Sequence, residues 1–323
     1  MCTATNYAAK DHYFGRNLDL EFSYHESVTI TPRNFPFAFR KVSDLPSHHA
    51  LIGMTTVADG YPLYYDATNE KGLSMAGLNF PDNADYKPET PGKNNITPFE
   101  FIPWILGQFE TVSQARAALQ DMVLVDIPFS PEFPLSPLHW IISDREESVT
   151  VESVKDGLRV YDNPVGLLTN NPTFDIQLFN LNNYVSMSSA QPENHFSKKL
   201  HFDTYSRGLG AVGLPGDLSS MSRFVKAAFT AVNSISGDSE SEAISQFFHI
   251  LGSVAQQRGC VEVGDKYEIT IYSSCCNTDK GIYYYTTYEN SQITAVDMHK
   301  VDLDSDTLSS YPLVTGQQIL AQN

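Results

Sequence analysis

Strand-like and helix-like patterns follow one another along this chain in blocks, and their order limits the fold more than any other feature. Alternation in Ser27-Val28-Thr29-Ile30-Thr31 and apolar runs at Leu51-Ile52-Gly53-Met54 and Gly72-Leu73-Ser74-Met75-Ala76-Gly77 predict strands in the first third. A helical block follows. Thr97-Pro98-Phe99-Glu100 has a capping-box layout with proline at the first helical position, and Thr111-Val112-Ser113-Gln114 opens a second helix the same way. Pro103 is expected to kink or interrupt the first of these. Strands resume at 138–142, 148–152, 157–161 and 165–168, an antiparallel meander broken by charged turns such as Asp144-Arg145-Glu146-Glu147. A second helical block begins near Ser219, where Phe224, Ala228 and Val232 recur at four-residue spacing, and continues from Ser239 and Glu242 through Ile244, Phe247, Phe248 and Leu251. Both stripes read as core. Strands close the chain at 267–272, 282–288 and 292–296. This order suggests an α+β fold, two antiparallel sheets stacked face to face and covered by helices on both outer sides.

No linker divides the 323 residues, so a single domain, 1–323, is expected. No stretch approaches the roughly 18 apolar residues of a membrane span. The formal charge of −17, from 38 acidic and 21 basic residues, opposes binding to nucleic acid and to anionic membranes. Met1 leads directly into Cys-Thr-Ala-Thr-Asn without a basic and then apolar leader, which makes the cytoplasm the expected location. Of four cysteines, Cys260, Cys275 and Cys276 read as buried or semi-buried reduced thiols. No metal is expected, because His48 and His49 are adjacent, with side chains directed apart on a strand, and no H-x-x-x-H spacing occurs. His139, beside Trp140, reads as packed in a strand. Serine-hydrolase and P-loop motifs are missing, and no cofactor is implied.

The chemistry concentrates at the start of the chain. Removing Met1 would leave Cys2 with a thiol and a free α-amine, a nucleophile and a base on one residue. A terminal amine titrates near ~7.7–8.0, closer to neutrality than any lysine. If residues 2–7 and 11–17 pair as strands about a turn near Ala8 to Lys10, Arg16 returns to Cys2 and can favour a thiolate, while Asp19 can orient the amine. The alternative reading of Arg16 and Asp19 is a surface ion pair at a strand end.

Met1-Cys2-Thr3, Gly15-Arg16-Asn17-Leu18-Asp19, Gly77-Leu78-Asn79, Leu168-Thr169-Asn170-Asn171-Pro172 and Leu214-Pro215-Gly216-Asp217 to Ser222-Arg223-Phe224 occur in an order that resembles the choloylglycine hydrolases. That family comprises bile salt hydrolases and penicillin V acylases, N-terminal-nucleophile amidases. Asn79 to Tyr86, Leu135 to Trp140 and Tyr272 to Gly281 bring the chain nearest to bile salt hydrolases of Gram-positive gut bacteria. The resemblance spans essentially the whole chain. It implies a four-layer αββα sandwich, Cys2 as nucleophile, Arg16 and Asp19 as its electrostatic and orienting partners, and Asn79 and Asn170 as oxyanion donors. Arg223 takes the place of a second active-site arginine. Asn170 rather than Asn171 is assigned because the pattern Thr-Asn-x-Pro fixes the residue after Thr169. Leu20, Tyr24 and Tyr65 are implied as pocket walls, joined by the proline-stiffened loop from Ile127 to Leu135 with Phe129 and Leu135. The resemblance further implies conjugated bile salts as substrate and a homotetramer. Penicillin V hydrolysis and non-catalytic carriage of amphipathic ligands are the alternatives.

Overall fold

The computed structural model describes all 323 residues. In chain order the first strands are β1 (Cys2–Ala8), β2 (His12–Leu20), β3 (Ser27–Thr31), β4 (Leu51–Ala58), β5 (Tyr61–Asn69), β6 (Ser74–Asn79) and β7 (Asn94–Ile96). Helices α1 (Phe101–Gln108) and α2 (Val112–Leu119) follow, then β8 (Met122–Leu124), β9 (Leu138–Ser143), β10 (Ser148–Val154), β11 (Gly157–Asp162) and β12 (Leu167–Leu168). The remainder comprises α3 (Phe174–Asn180), α4 (Ser220–Asn233), α5 (Glu240–Gly252), β13 (Glu262–Val263), β14 (Lys266–Tyr267), β15 (Ile269–Asn277), β16 (Ile282–Thr287), β17 (Asn290–Asp297) and β18 (Ser309–Pro312).

Two antiparallel sheets carry the fold: six strands in the order β12-β1-β2-β15-β16-β17, and eight in the order β11-β10-β9-β6-β5-β4-β3-β18. Between them lies a core that includes Cys2, Phe14, Leu18, Ile52, Met54 and Leu78. The outer face of the six-stranded sheet packs Tyr7, Tyr13 and Cys275 on Ala243, Phe247 and Leu251 of α5. The outer face of the other buries Met75, Trp140 and Val151 under Phe101, Ile105 and Val112 of α1 and α2. Strand alternation supplies both faces of each sheet, so the layers stack helix, sheet, sheet, helix as expected.

Several local expectations need correction. The Thr97 segment makes a turn rather than a helix start, with the Glu100 N–H donating to the Thr97 carbonyl at 3.0 Å, and α1 begins at Phe101. Pro103 then falls in the first turn, where an N–H has no helical partner, and it neither kinks nor interrupts the helix. Thr111 and Ser239 cap α2 and α5 as expected, the second through a full capping box. Val232 is 68% exposed, because only Phe224 and Ala228 of its stripe reach the core. Cys260 is exposed in the irregular chain before β13, whereas Cys275 and Cys276 are buried on opposite faces of β15. His48 and His49 lie in irregular chain, not in a strand.

The largest departure concerns residues 165–168. They do not extend the meander β9-β10-β11 but cross to the other sheet, where Leu168 pairs with Ala4. Asn163 makes the crossing: its Oδ1 accepts from the Gly166 N–H at 2.9 Å and its Nδ2 donates to the Leu167 carbonyl at 2.9 Å. Gly166 sits at φ 64°, a conformation that glycine tolerates without strain. The crossing delivers Thr169 and Asn170 to the start of β1.

Candidate active site

Cys2 opens β1 and is 2% exposed. The register of β1 on β2 sets Cys2 opposite Leu18 and Ala4 opposite Arg16, so Cys2 and Arg16 are diagonal neighbours on the face between the sheets. The fully buried Arg16 reaches across to the second sheet, where Nη1 donates to the carbonyls of Tyr65 at 3.0 Å and Gly77 at 2.5 Å. Its Nη2 is buried without a partner. Burial opposes the guanidinium charge, but Cys2, Tyr272, Asp66 and Asp19 outweigh it and hold Arg16 protonated above its ordinary range.

Asn170 closes the site from the crossing strand. Its Oδ1 accepts from the Cys2 backbone N–H at 2.8 Å and from Arg223 Nη2 at 2.6 Å, while Nδ2 donates to the Asn79 carbonyl at 2.7 Å. Two donors on Oδ1 fix the orientation of the carboxamide and leave the second N–H of Nδ2 for another acceptor. Asn171 turns away and donates to the Pro81 carbonyl at 2.7 Å. Asn79 ends β6 half-buried at the edge of the same cleft.

Arg223 comes from α4 on the outer side. Its Nη1 donates to the Cys2 carbonyl and to Thr3 Oγ1, both at 2.6 Å, so it grips the backbone of Cys2 and the carboxamide of Asn170. Burial lowers its guanidinium pKa, against the pull of Asp19, Cys2 and Glu268. Asp19 lies on that outer face too. Its Oδ1 accepts from Thr270 Oγ1 at 2.6 Å, Oδ2 has no partner, and burial raises its carboxyl against Arg223 and the chain-terminal ammonium. With Met1 in place, the ammonium donates to the Asp19 main-chain carbonyl at 2.7 Å and pairs with the Glu268 carboxylate. In this form the Cys2 nitrogen is a peptide N–H.

Cys2 and Arg16 form the floor of a cleft of roughly 350 Å³ that opens between the sheets. Leu20, Tyr24, Tyr65, Phe129 and Leu135 all line it, with Phe133 of the same loop, together with Leu18, Phe99 and Trp140, which the sequence did not single out as walls. Reading Phe99 as the second residue of a helix hid its part in the wall. The sequence also missed Asp66, a buried carboxylate behind Arg16, and Glu268. His139 packs fully buried in β9, where Nδ1 meets Glu152 at 3.0 Å and Nε2 the Thr169 carbonyl at 2.9 Å. A thiol, a cation and an oriented carboxamide meet under an apolar cleft, an arrangement suited to attack on an acyl carbon whose oxygen becomes negative.

The sequence pattern of the linear amide C–N hydrolases, choloylglycine hydrolase family, matches residues 2–311. The chain belongs to the choloylglycine hydrolase family. Within that family, a bile salt hydrolase/transferase of Lactiplantibacillus plantarum is 60% identical over 100% of both chains. The structure of a conjugated bile acid hydrolase from Clostridium perfringens superposes with a TM-score of 0.93 at 41% identity, covering 100% of each chain. A penicillin V acylase from Agrobacterium tumefaciens gives a TM-score of 0.75 at 21% identity, covering 97% of this chain and 92% of that one, which is a likeness of fold alone. The αββα sandwich is therefore the family's architecture. No helix of the chain is long and apolar enough to cross a membrane.

Proposed function

We propose that this choloylglycine hydrolase is a bile salt hydrolase, releasing glycine or taurine from conjugated bile salts through Cys2 after loss of Met1. One observation carries the reading. The thiol-bearing residue sits 2% exposed at the floor of an apolar cleft, its nitrogen 2.8 Å from an asparagine carboxamide whose orientation is fixed. In the mature chain that nitrogen is an amine, able to take the thiol proton as Sγ attacks the amide carbonyl and to pass it to the departing amine. The free N–H of Asn170 and the amide of Asn79 donate to the oxyanion, and Arg16 Nη2 attracts the thiolate. Arg223 holds Cys2 and Asn170 in register, and Asp19 balances the positive charge behind them. Water then cleaves the thioester to free bile acid and regenerates the thiol. A thioester here is also open to attack by an amine in place of water, and the Lactiplantibacillus plantarum relative is named a hydrolase/transferase.

Substrate class follows from the walls. Leu20, Tyr24, Tyr65, Phe129 and Leu135 present apolar surface suited to a steroid body, worth several kcal/mol at about 25 cal/mol per Å². The net charge of −17 gives an anionic substrate no long-range attraction, so recognition is local. A cytoplasmic location and a homotetramer belong to the same proposal. The chain from 185 to 208 has no helix or strand and exposes Phe196, Phe202 and Tyr205 at 78%, 56% and 88%, apolar surface suited to a second copy.

The test is hydrolysis of glycocholate, taurocholate and penicillin V by protein shown by intact mass to begin at Cys2. Bile salts are expected to be cleaved with the higher kcat/KM. Preference for penicillin V would make the chain an acylase of that kind, and binding without turnover would make it a carrier.

A further inference from the structure

Asp66 is a fully buried carboxylate on β5 that the proposed reaction does not use. It reaches across the sheet interface. Tyr272 donates to its Oδ1 at 2.7 Å, and Tyr283 and Ser274 donate to Oδ2 at 2.7 and 3.3 Å. Ser274 Oγ in turn accepts from the Arg16 backbone N–H at 3.1 Å, which ties the carboxylate to the strand that carries the guanidinium. Neither Asp66 nor these hydroxyl residues line the cleft. Burial raises its carboxyl, and the Arg16 guanidinium and three hydroxyl donors oppose that rise and favour the ionised acid, since a neutral one would have to donate a proton of its own.

Arg16 therefore lies between two acidic claims, Asp66 behind it and the Cys2 sulfur in front, with Nη2 left unpartnered. The charged and titratable groups around Arg16 are Cys2 on β1, Asp19 on β2, Asp66 with its neighbour Tyr65 on β5, and Tyr272 on β15. Around Asp66 they are Arg16, Tyr272, Tyr283 and Cys276. Arg223 faces Cys2 from α4. Of the two carboxylates that act on Arg16, Asp19 lies on the outer face of its sheet and Asp66 in the sheet interface. We propose that Asp66 is a positioning residue that sets how strongly the Arg16 guanidinium acts on the Cys2 sulfur, by offsetting part of its charge from behind the cleft. The proposal rests on the assignment of Cys2 as nucleophile.

The experiment replaces Asp66→Asn in the full-length processed enzyme and follows alkylation of Cys2 by iodoacetamide against pH, read by peptide mass in a Cys260→Ser background because Cys260 is exposed. Removing the offsetting charge is expected to lower the alkylation midpoint and the acid limb of kcat/KM by about one pH unit, roughly tenfold in thiolate at fixed pH, with KM nearly unchanged. Asp66→Glu keeps the charge and is expected to retain the parental profile. If Asp66→Asn does not fold, Asp66→Ser, equally neutral and smaller, carries the same expectation. A parental midpoint in a folded neutral variant overturns the proposal. So does loss of fold in both neutral variants while Asp66→Glu behaves as the parent, which would make the residue structural. Should the alkylated parent still hydrolyse substrate, the nucleophile assignment fails instead, whatever the Asp66 variants do.

Discussion

At the floor of the cleft, Cys2, Arg16 and Asn170 are held by strands of both sheets and by hydrogen bonds of 2.5 to 3.0 Å, whereas the wall from 127 to 137 has no strand. The wall holds itself by ring contacts of Phe129 with Phe99, Tyr61 and Phe133 at 5.2, 5.8 and 6.1 Å, and by Arg40 donating to the Phe129 carbonyl at 3.0 Å. Hydrogen-bonded charge at the floor has few alternative arrangements, since each group displaced leaves a buried partner unpaired. Apolar contact in the wall is non-directional and can be altered in steps. Reaction chemistry should therefore fail abruptly when the floor is changed, and substrate binding should weaken gradually when the wall is.

The comparison is sharpest at Cys2. Cys2→Ser is expected to lower kcat by at least roughly 10³-fold while the melting temperature stays near the parent's, measured by turnover and thermal unfolding. Arg16→Lys keeps a charge but cannot reproduce the fork that spans the Tyr65 and Gly77 carbonyls, so kcat should fall roughly 10- to 100-fold with a smaller change in KM. A large rise in KM alone would move Arg16 from floor to wall. Phe129→Ala removes the ring at the centre of the wall, and steady-state kinetics should show KM raised roughly tenfold with kcat within about twofold. Leu135→Ala, half-buried at the same rim, should raise KM by only about threefold.

The smallest effect is on stability. Asp217 accepts from the Ser219 N–H at 3.0 Å and from Ser222 Oγ at 2.6 Å at the start of α4, the helix that carries Arg223, and these bonds lower its carboxyl to about 2. A carboxyl depressed in the folded state adds stability above its unfolded value near 3.8, and that share is lost as pH falls through about 2. Asp217→Asn should remove this dependence in acid melts, with a slight loss of stability at neutral pH.

Much of the floor could be read from the sequence, because it depends on short spacings. The hairpin that pairs Cys2–Ala8 with His12–Leu20 needs only two strand patterns and a turn, and it alone brings Arg16 to Cys2. The walls Leu20, Tyr24 and Tyr65 follow from the family resemblance, and Phe129 and Leu135 from the apolar, proline-stiffened composition of their loop, none of them from periodicity. β5 escaped notice because Tyr61-Pro62-Leu63-Tyr64-Tyr65-Asp66 has no clean alternation, and Asp66 went with it. The crossing of Leu167–Leu168 was misjudged since a run of strands normally continues in its own sheet, and a side chain at Asn163 redirects it.

By itself the sequence determined which residues alternate to which face, where α2 and α5 are capped, and that a thiol, a guanidinium and a carboxylate share the first strands. The tertiary structure decided that Asn170, 168 positions from Cys2, turns its carboxamide to that residue, and that Arg223 grips the Cys2 backbone from α4. The difference is physical. Alternation and capping arise from bonds among residues a few positions apart, while these long-range pairs exist only once two sheets and a helix have packed, and each depends on the position of all the others.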